Sequence, residues 1–158
     1  MVERFAVRSA VLLGANQVVC IDNVPERLAM AGRHGINMRI GAYMQAIALQ
    51  PAHADARVNL GRLFHEDGRL TDAEEQYRAA LDAAESPFAA YNLGLILEER
   101  REIIEAISAY ERALASDAGF ADAHFNLARL YENTGDARSA IRHFNAYRLL
   151  TQKKPGHR

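Results

Sequence analysis

Asn59-Leu60-Gly61, Asn92-Leu93-Gly94 and Asn126-Leu127-Ala128 are one phrase written three times, and their spacing decides the architecture. The leucines stand 33 and then 34 residues apart. Three residues after each glycine or alanine comes a large apolar residue: Phe64, Leu97 and Tyr131. An alanine stands thirteen residues beyond each leucine (Ala73, Ala106, Ala140), and an aromatic four further on (Tyr77, Tyr110, Phe144). A fixed period of this length marks stacked supersecondary units, none of which can bury its apolar face alone.

Within each copy the apolar residues recur at helical intervals. The first helices carry Ala56, Leu60, Leu63, Phe64, then Ala89, Leu93, Ile96, Leu97, then Ala123, Leu127, Leu130, Tyr131. The second helices carry Ala73, Tyr77, Ala80, Leu81, then Ala106, Ile107, Tyr110, Ala113, Leu114, then Ala140, Ile141, Phe144, Tyr147. Turns fall at Asp67-Gly68 and Thr134-Gly135-Asp136, with Arg100-Arg101 between helices in the middle copy. The units run 54–86, 87–120 and 121–152, and 153–158 is expected to be a solvated tail. Gly61, Gly94 and Ala128 are expected to face alanines, so that the two helices of a hairpin approach closely, with the large aromatics filling the space between hairpins. Tyr147 reads as a cap on the last helix.

These residues resemble the tetratricopeptide repeat over 54–152. The departures are Arg57, Ala90 and His124 at the family's tryptophan position, Glu85 and Ala118 at its terminating proline, and Tyr147 at a packing alanine. The resemblance implies an all-α fold: a right-handed α-solenoid of antiparallel helix hairpins, stabilised by contacts between successive repeats. It comprises three full units plus a degenerate N-terminal hairpin. The second helix of that hairpin is expected over 38–53, because Ile40, Tyr43, Ala46 and Ile47 keep the intervals of Ile107, Tyr110, Ala113 and Leu114. Arg39 stands where other copies have an alanine, and Gly41 costs such a helix about 1 kcal/mol.

Residues 1–37 read differently. Ser9–Leu13 is helix-compatible, Gly14-Ala15-Asn16 suggests a turn, and Val18–Asp22 looks like a buried strand. Asn23 would then cap a helix beginning Pro25-Glu26 and ending at Gly32 or Gly35. Arg8-Ser9-Ala10, Leu12-Leu13-Gly14-Ala15, Val18–Asp22 and Val24–Ala31 resemble part of the nucleotide-binding domain of zinc-dependent, medium-chain alcohol dehydrogenases. In that family an acidic residue placed like Asp22 reaches the dinucleotide ribose. The preceding strand and glycine-rich turn, which hold the pyrophosphate, have no counterpart here, so nicotinamide binding and dehydrogenase activity are not expected. Such a strand has to pair or refold. If it stays exposed, it invites edge pairing and a homodimer.

A formal net charge of -1 gives no concentrated basic surface for nucleic acid. Cys20 is the single cysteine, so no internal disulfide is possible and a reducing, cytoplasmic setting is expected. Apolar Ala10–Leu13 is too short for a secretory segment, and no apolar run reaches membrane-spanning length. The six histidines include no pair at i, i+4, and neither a serine-nucleophile elbow nor a phosphate loop occurs. The chain is therefore expected to be non-catalytic, without cofactor or metal, with Glu98-Glu99-Arg100-Arg101 as a solvated helix end.

In the tetratricopeptide family the first helices line a concave groove, and ligands lie across them. With each phrase's leucine turned to the core, the groove residues are Val58, Asn59, Arg62 and His65, then Tyr91, Asn92 and Leu95, then Phe125, Asn126 and Arg129. Asparagine costs about 0.6 kcal/mol relative to alanine inside a helix, so something else retains it. Its amide offers two donors and an acceptor, enough to bracket one peptide unit. First helices about 10 Å apart would meet an extended peptide, advancing about 3.3 Å per residue, at roughly every third residue. The expected function is a peptide- or protein-binding module, with Arg62 and Arg129 favouring an acidic segment. The alternative is an assembly protein that self-associates through its N-terminal segment. The asparagine ladder is similar to that of the repeat superhelix of O-GlcNAc transferases. No groove position is lysine, which argues against the carboxylate-clamping members of the family.

Overall fold

The computed structural model describes residues 10–12, 18–20 and 25–152, with side-chain surroundings from residue 34 onward. Asp22, Asn23 and the tail 153–158 lie outside the described residues. Among the described residues two short strands, β1 (Ala10–Leu12) and β2 (Val18–Cys20), precede seven helices. These are α1 (Pro25–Leu49), α2 (Ala54–Glu66), α3 (Leu70–Ala83), α4 (Pro87–Glu99), α5 (Ile103–Ser116), α6 (Ala121–Asn133) and α7 (Ala137–Gln152). Helices α2/α3, α4/α5 and α6/α7 form hairpins, and α3 on α4 and α5 on α6 join one hairpin to the next. The result is an α-solenoid with a continuous core running along it.

The three hairpin turns repeat one geometry. Gly68, Arg101 and Gly135 occupy equivalent positions and all have positive φ, at 76°, 66° and 86°. Starts differ from helix to helix. Ser86 Oγ accepts the Ala89 N–H at 3.2 Å and Pro87 opens α4, whereas His53 Nδ1 accepts the Ala56 N–H at 3.3 Å to start α2.

Close helix approach has a cause other than the alanines expected. A Cβ on Gly61 would lie 2.7 Å from the Tyr77 ring, and one on Gly94 only 2.5 Å from the Tyr110 ring. Each glycine makes room for the aromatic of its own hairpin, and both tyrosines are fully buried. Tyr77 and Tyr110 thus lock helix to helix within a hairpin, while Phe120, at the start of α6, packs on Phe88 and Tyr91 of α4 and bridges one hairpin to the next. Leu63, Ile96, Leu127 and Leu130, also fully buried, make up the rest of the largest core side chains.

The N-terminal region departs from expectation in two ways. In place of a degenerate hairpin with a break near Gly35, α1 is one 25-residue helix. Neither Gly32 nor Gly41 has a neighbour crowding its missing side chain, and at about 1 kcal/mol each, glycines do not stop a helix that no proline interrupts. Ile36, Ile40, Tyr43 and Ile47 form its stripe against the core. Second, Ala10–Leu12 is strand, not helix. It pairs antiparallel with Val18–Cys20, Val11 opposite Val19, which supplies the backbone partners those strand residues need. That antiparallel pairing differs from the parallel strand–helix–strand unit of dinucleotide-binding domains.

Candidate functional site on the first helices

Helices α2, α4 and α6 carry the candidate residues in matching registers: Val58/Tyr91/Phe125, Asn59/Asn92/Asn126, Arg62/Leu95/Arg129 and His65/Glu98/Glu132. The three asparagines, equivalent in sequence, are not equivalent in structure. Asn126 is buried at 8% exposure, and its Nδ2 donates to the Tyr91 hydroxyl at 3.3 Å. Asn59 and Asn92 are half-buried, and among the described residues neither side chain has a hydrogen-bond partner.

Several charges expected to await a ligand instead brace one first helix to the next. His65 on α2 donates through Nε2 to Glu99 on α4 at 2.8 Å. Arg129 on α6 pairs with Glu98 on α4, and Glu98 also accepts the Tyr110 hydroxyl at 3.1 Å. Arg62 stays exposed, 3.8 Å from Glu66 one turn along its own helix. Of the run Glu98–Arg101 only Arg101 is a solvated end, since Glu98 and Glu99 are engaged as above and Arg100 pairs with Glu74 and reaches Thr71 Oγ1 at 3.3 Å on α3. Burial pushes the Glu74 carboxyl up, but Arg78 and Arg100 together hold it below the ordinary carboxylate value.

The apolar candidates form an aromatic row. Tyr91 packs on Phe120 and Tyr110, with ring centroids 4.8 and 5.5 Å away, and Phe125 packs on Tyr147 at 5.2 Å. Val58 and Leu95 lean against the core, whereas Phe88 and Phe125 remain 62% and 41% exposed. Burial, followed by the Asp122 charge, raises the Tyr91 hydroxyl above its ordinary pKa, so it stays protonated and able to donate.

Two further features escaped sequence reasoning. Tyr77 has the place of Tyr110, but its buried hydroxyl has no partner among the described residues, because His65 stands where Glu98 would be. The second feature is a latch built at the family's tryptophan position. Arg57 donates twice to the Pro51 carbonyl, at 3.0 and 2.9 Å, and once to Gln76 Oε1 at 3.3 Å. His124 repeats this contact for contact, bonding the Ala118 carbonyl at 3.2 Å and His143 Nδ1 at 2.9 Å. Aligning copies at the spacing of 19 residues that separates Arg57 from Gln76 and His124 from His143 would have found it.

Matched hairpins stacked on one repeating core define a helical-repeat protein. Tetratricopeptide repeat profiles match residues 40–90 and 71–119, and another matches 98–157. The chain belongs to the tetratricopeptide repeat family. It is similar to a crystal structure of MamA, 23% identical with TM-score 0.67, covering 84% of this chain and 76% of that one. A tetratricopeptide repeat protein from Parabacteroides merdae gives TM-score 0.68 at 18% identity, covering 82% of this chain and 52% of that one. Among curated proteins, a probable UDP-N-acetylglucosamine–peptide N-acetylglucosaminyltransferase SPINDLY from Hordeum vulgare is 29% identical over 100 residues. That match covers 58% of this chain and only 11% of the barley protein. Among the described residues no three His, Cys, Asp or Glu side chains group to hold a metal, and no helix is long and apolar enough to cross a membrane.

Proposed function

We propose that the chain is a non-catalytic interaction module that holds an extended peptide, or an extended segment of a partner protein, against α2, α4 and α6. Tetratricopeptide repeats in general serve protein–protein interaction. The observation that carries the finer reading is the pair Asn59 and Asn92. They stand one repeat apart, half-buried, on helices that would be more stable with alanine, and their amides are unused among the described residues. Tyr91, Leu95, Val58 and Phe125 supply apolar contact beside them. An acidic ligand is no longer favoured, since Arg129 already holds Glu98 and Arg62 is left alone among several carboxylates. In this reading the dehydrogenase-like residues 8–37 bind no nicotinamide, and the lone Cys20 fits a cytoplasmic setting.

Peptide-array and pull-down binding by an Asn59→Ala/Asn92→Ala variant tests the ladder. Losing two bracketed peptide units, four hydrogen bonds at about 0.5–1 kcal/mol each, should weaken binding by roughly 30-fold to 1,000-fold. Asn126→Ala should change it little, because that amide serves Tyr91. Undiminished binding by the double variant would sink the ladder and leave the fold untouched.

Self-association through the N-terminal segment is the second reading. Among the described helices α1 packs chiefly on α2, and Met38, Met44 and Leu49 are 53%, 56% and 82% exposed. Light scattering on the full chain and on one lacking residues 1–23 separates the readings: a dimer lost on truncation supports assembly, and a monomer throughout removes it.

A further inference from the structure

The pair His124 and His143 is placed so that every proton is assigned. A carbonyl only accepts, so the His124 nitrogen facing the Ala118 carbonyl at 3.2 Å, Nε2, carries a hydrogen. In the neutral ring Nδ1 is then an acceptor, and it lies 2.9 Å from His143 Nδ1, which must donate. That leaves His143 Nε2 to accept, and the Arg142 guanidinium, which only donates, sits 3.2 Å from it. The chain of donors runs from Arg142 through His143 and His124 to the backbone carbonyl without a gap. The whole chain forms only with both rings neutral: the inter-helix bond needs a free His124 Nδ1, and the Arg142 contact needs a free His143 Nε2.

We infer that this latch is an acid-sensitive fastening of the final hairpin: a proton on His124 Nδ1 removes the acceptor of the α6–α7 hydrogen bond, and a proton on His143 Nε2 sets a buried cation against Arg142. The groups facing the pair come from every neighbouring element. They are Arg142 on α7, Tyr131 on α6, whose ring stacks on His143 at 5.7 Å, and Glu111 on α5, which is occupied by the Tyr131 hydroxyl at 2.7 Å. The Glu111 carboxylate favours a charged His143, but it is outweighed by burial and by His124 and Arg142. Burial first, then His124 and Arg142, hold the His143 pKa below the ordinary histidine value. A base depressed on folding contributes its full stability above the ordinary histidine range and loses it as pH falls through the folded value. Phe125, Asn126 and Arg129 share α6 with the latch, so its release would also loosen the C-terminal end of the candidate groove, whatever binds there.

The test compares wild type with His143→Gln, which copies Gln76 of the first repeat, and with His124→Ala/His143→Ala, which copies Ala90 and Ala109 of the second. Amide hydrogen exchange should report opening of α6–α7 that rises, between pH 7 and pH 5, about tenfold for each pKa unit of depression. Opening of α4–α5 should not follow, and both variants should lose the acid-dependent part. Nitrogen NMR of the wild-type rings decides the matter even if a variant folds poorly. His143 should show the Nδ1–H tautomer and titrate below an ordinary histidine. A normal or raised titration, or an unchanged pH dependence in the variants, overturns the inference.

Discussion

The middle hairpin α4–α5 and the final hairpin α6–α7 follow one plan and fill it with different chemistry. In the middle copy Gly94 leaves space for Tyr110, whose ring is buried and whose hydroxyl reaches Glu98 at 3.1 Å. In the final copy the glycine is Ala128, and its aromatic partner is the half-buried, hydroxyl-free Phe144. The latch position reverses the contrast. Ala90 and Ala109 border a cleft of about 240 Å3 shared with Leu93, Leu97 and Arg112, whereas His124 and His143 put a polar pair there. Each of these two hairpins therefore has one close-packed lock and one looser place, and they trade positions, whereas the first hairpin has both contacts. A repeat fixes where two helices must be joined, and leaves open which contact joins them.

Exchanging the small residues of the two hairpins should have the largest effect. Gly94→Ala puts a methyl 2.5 Å from ring atoms of Tyr110, which is walled in and tied to Glu98. Overpacking of this kind costs about 1–3 kcal/mol. The helix-propensity gain of about 1 kcal/mol offsets part of it. A net loss of up to about 2 kcal/mol is expected in urea unfolding. The reverse exchange, Ala128→Gly, should cost about 1 kcal/mol through propensity alone. A Gly94→Ala protein as stable as wild type would mean that the tyrosine ring moves freely and is not a lock.

The next effect is smaller and separates two tyrosines that look identical in sequence. Tyr110→Phe removes a hydrogen bond to a carboxylate and should cost about 1–1.5 kcal/mol. Tyr77→Phe removes a buried hydroxyl with no partner among the described residues, so it should be neutral or stabilising by up to about 1 kcal/mol. Burial raises both hydroxyls well above the ordinary tyrosine pKa, so neither titrates in the neutral range where the comparison is made. Equal losses in the two variants would show that Glu98 contributes nothing to the middle hairpin.

These positions also show what the sequence could and could not disclose. Leu60, Leu93 and Leu127 and their trailing alanines are constrained by core packing at a fixed period, so the hairpins were legible from letters alone. The single helix α1 was not. Gly32 and Gly35 look like stops locally, but a glycine's modest cost is overridden when flanking residues favour helix and Ile36, Ile40 and Ile47 find a neighbour. Strand β1 was misread because its partner lies across a connection and not along a helical period. In the candidate site, the faces were legible and the side-chain partners were not. Glu98 became a hub through groups 12 and 31 residues away, and Asn126 was withdrawn from the ladder by a tyrosine 35 residues before it. Periodicity reports which way a residue points, and says nothing of what will be waiting there.

The smallest expected effect lies in the turn that joins the middle hairpin. Arg101 holds φ at 66°, where the final hairpin has Gly135 and the first has Gly68. A left-handed conformation costs a residue with a Cβ about 1–2 kcal/mol, while glycine loses more freedom on folding, by about 0.5–1 kcal/mol. The difference predicts that Arg101→Gly stabilises the protein by about 0.5–1 kcal/mol. The opposite exchange, Gly135→Arg, should destabilise it by a similar amount. Among the described residues Arg101 makes no side-chain hydrogen bond or ion pair, so the exchange isolates the backbone. Thermal unfolding of the two variants, read together, checks the sign: if both lose stability, the arginine contributes a side-chain contact that outweighs its strained backbone, and the middle turn is a third place where this hairpin differs from its neighbour.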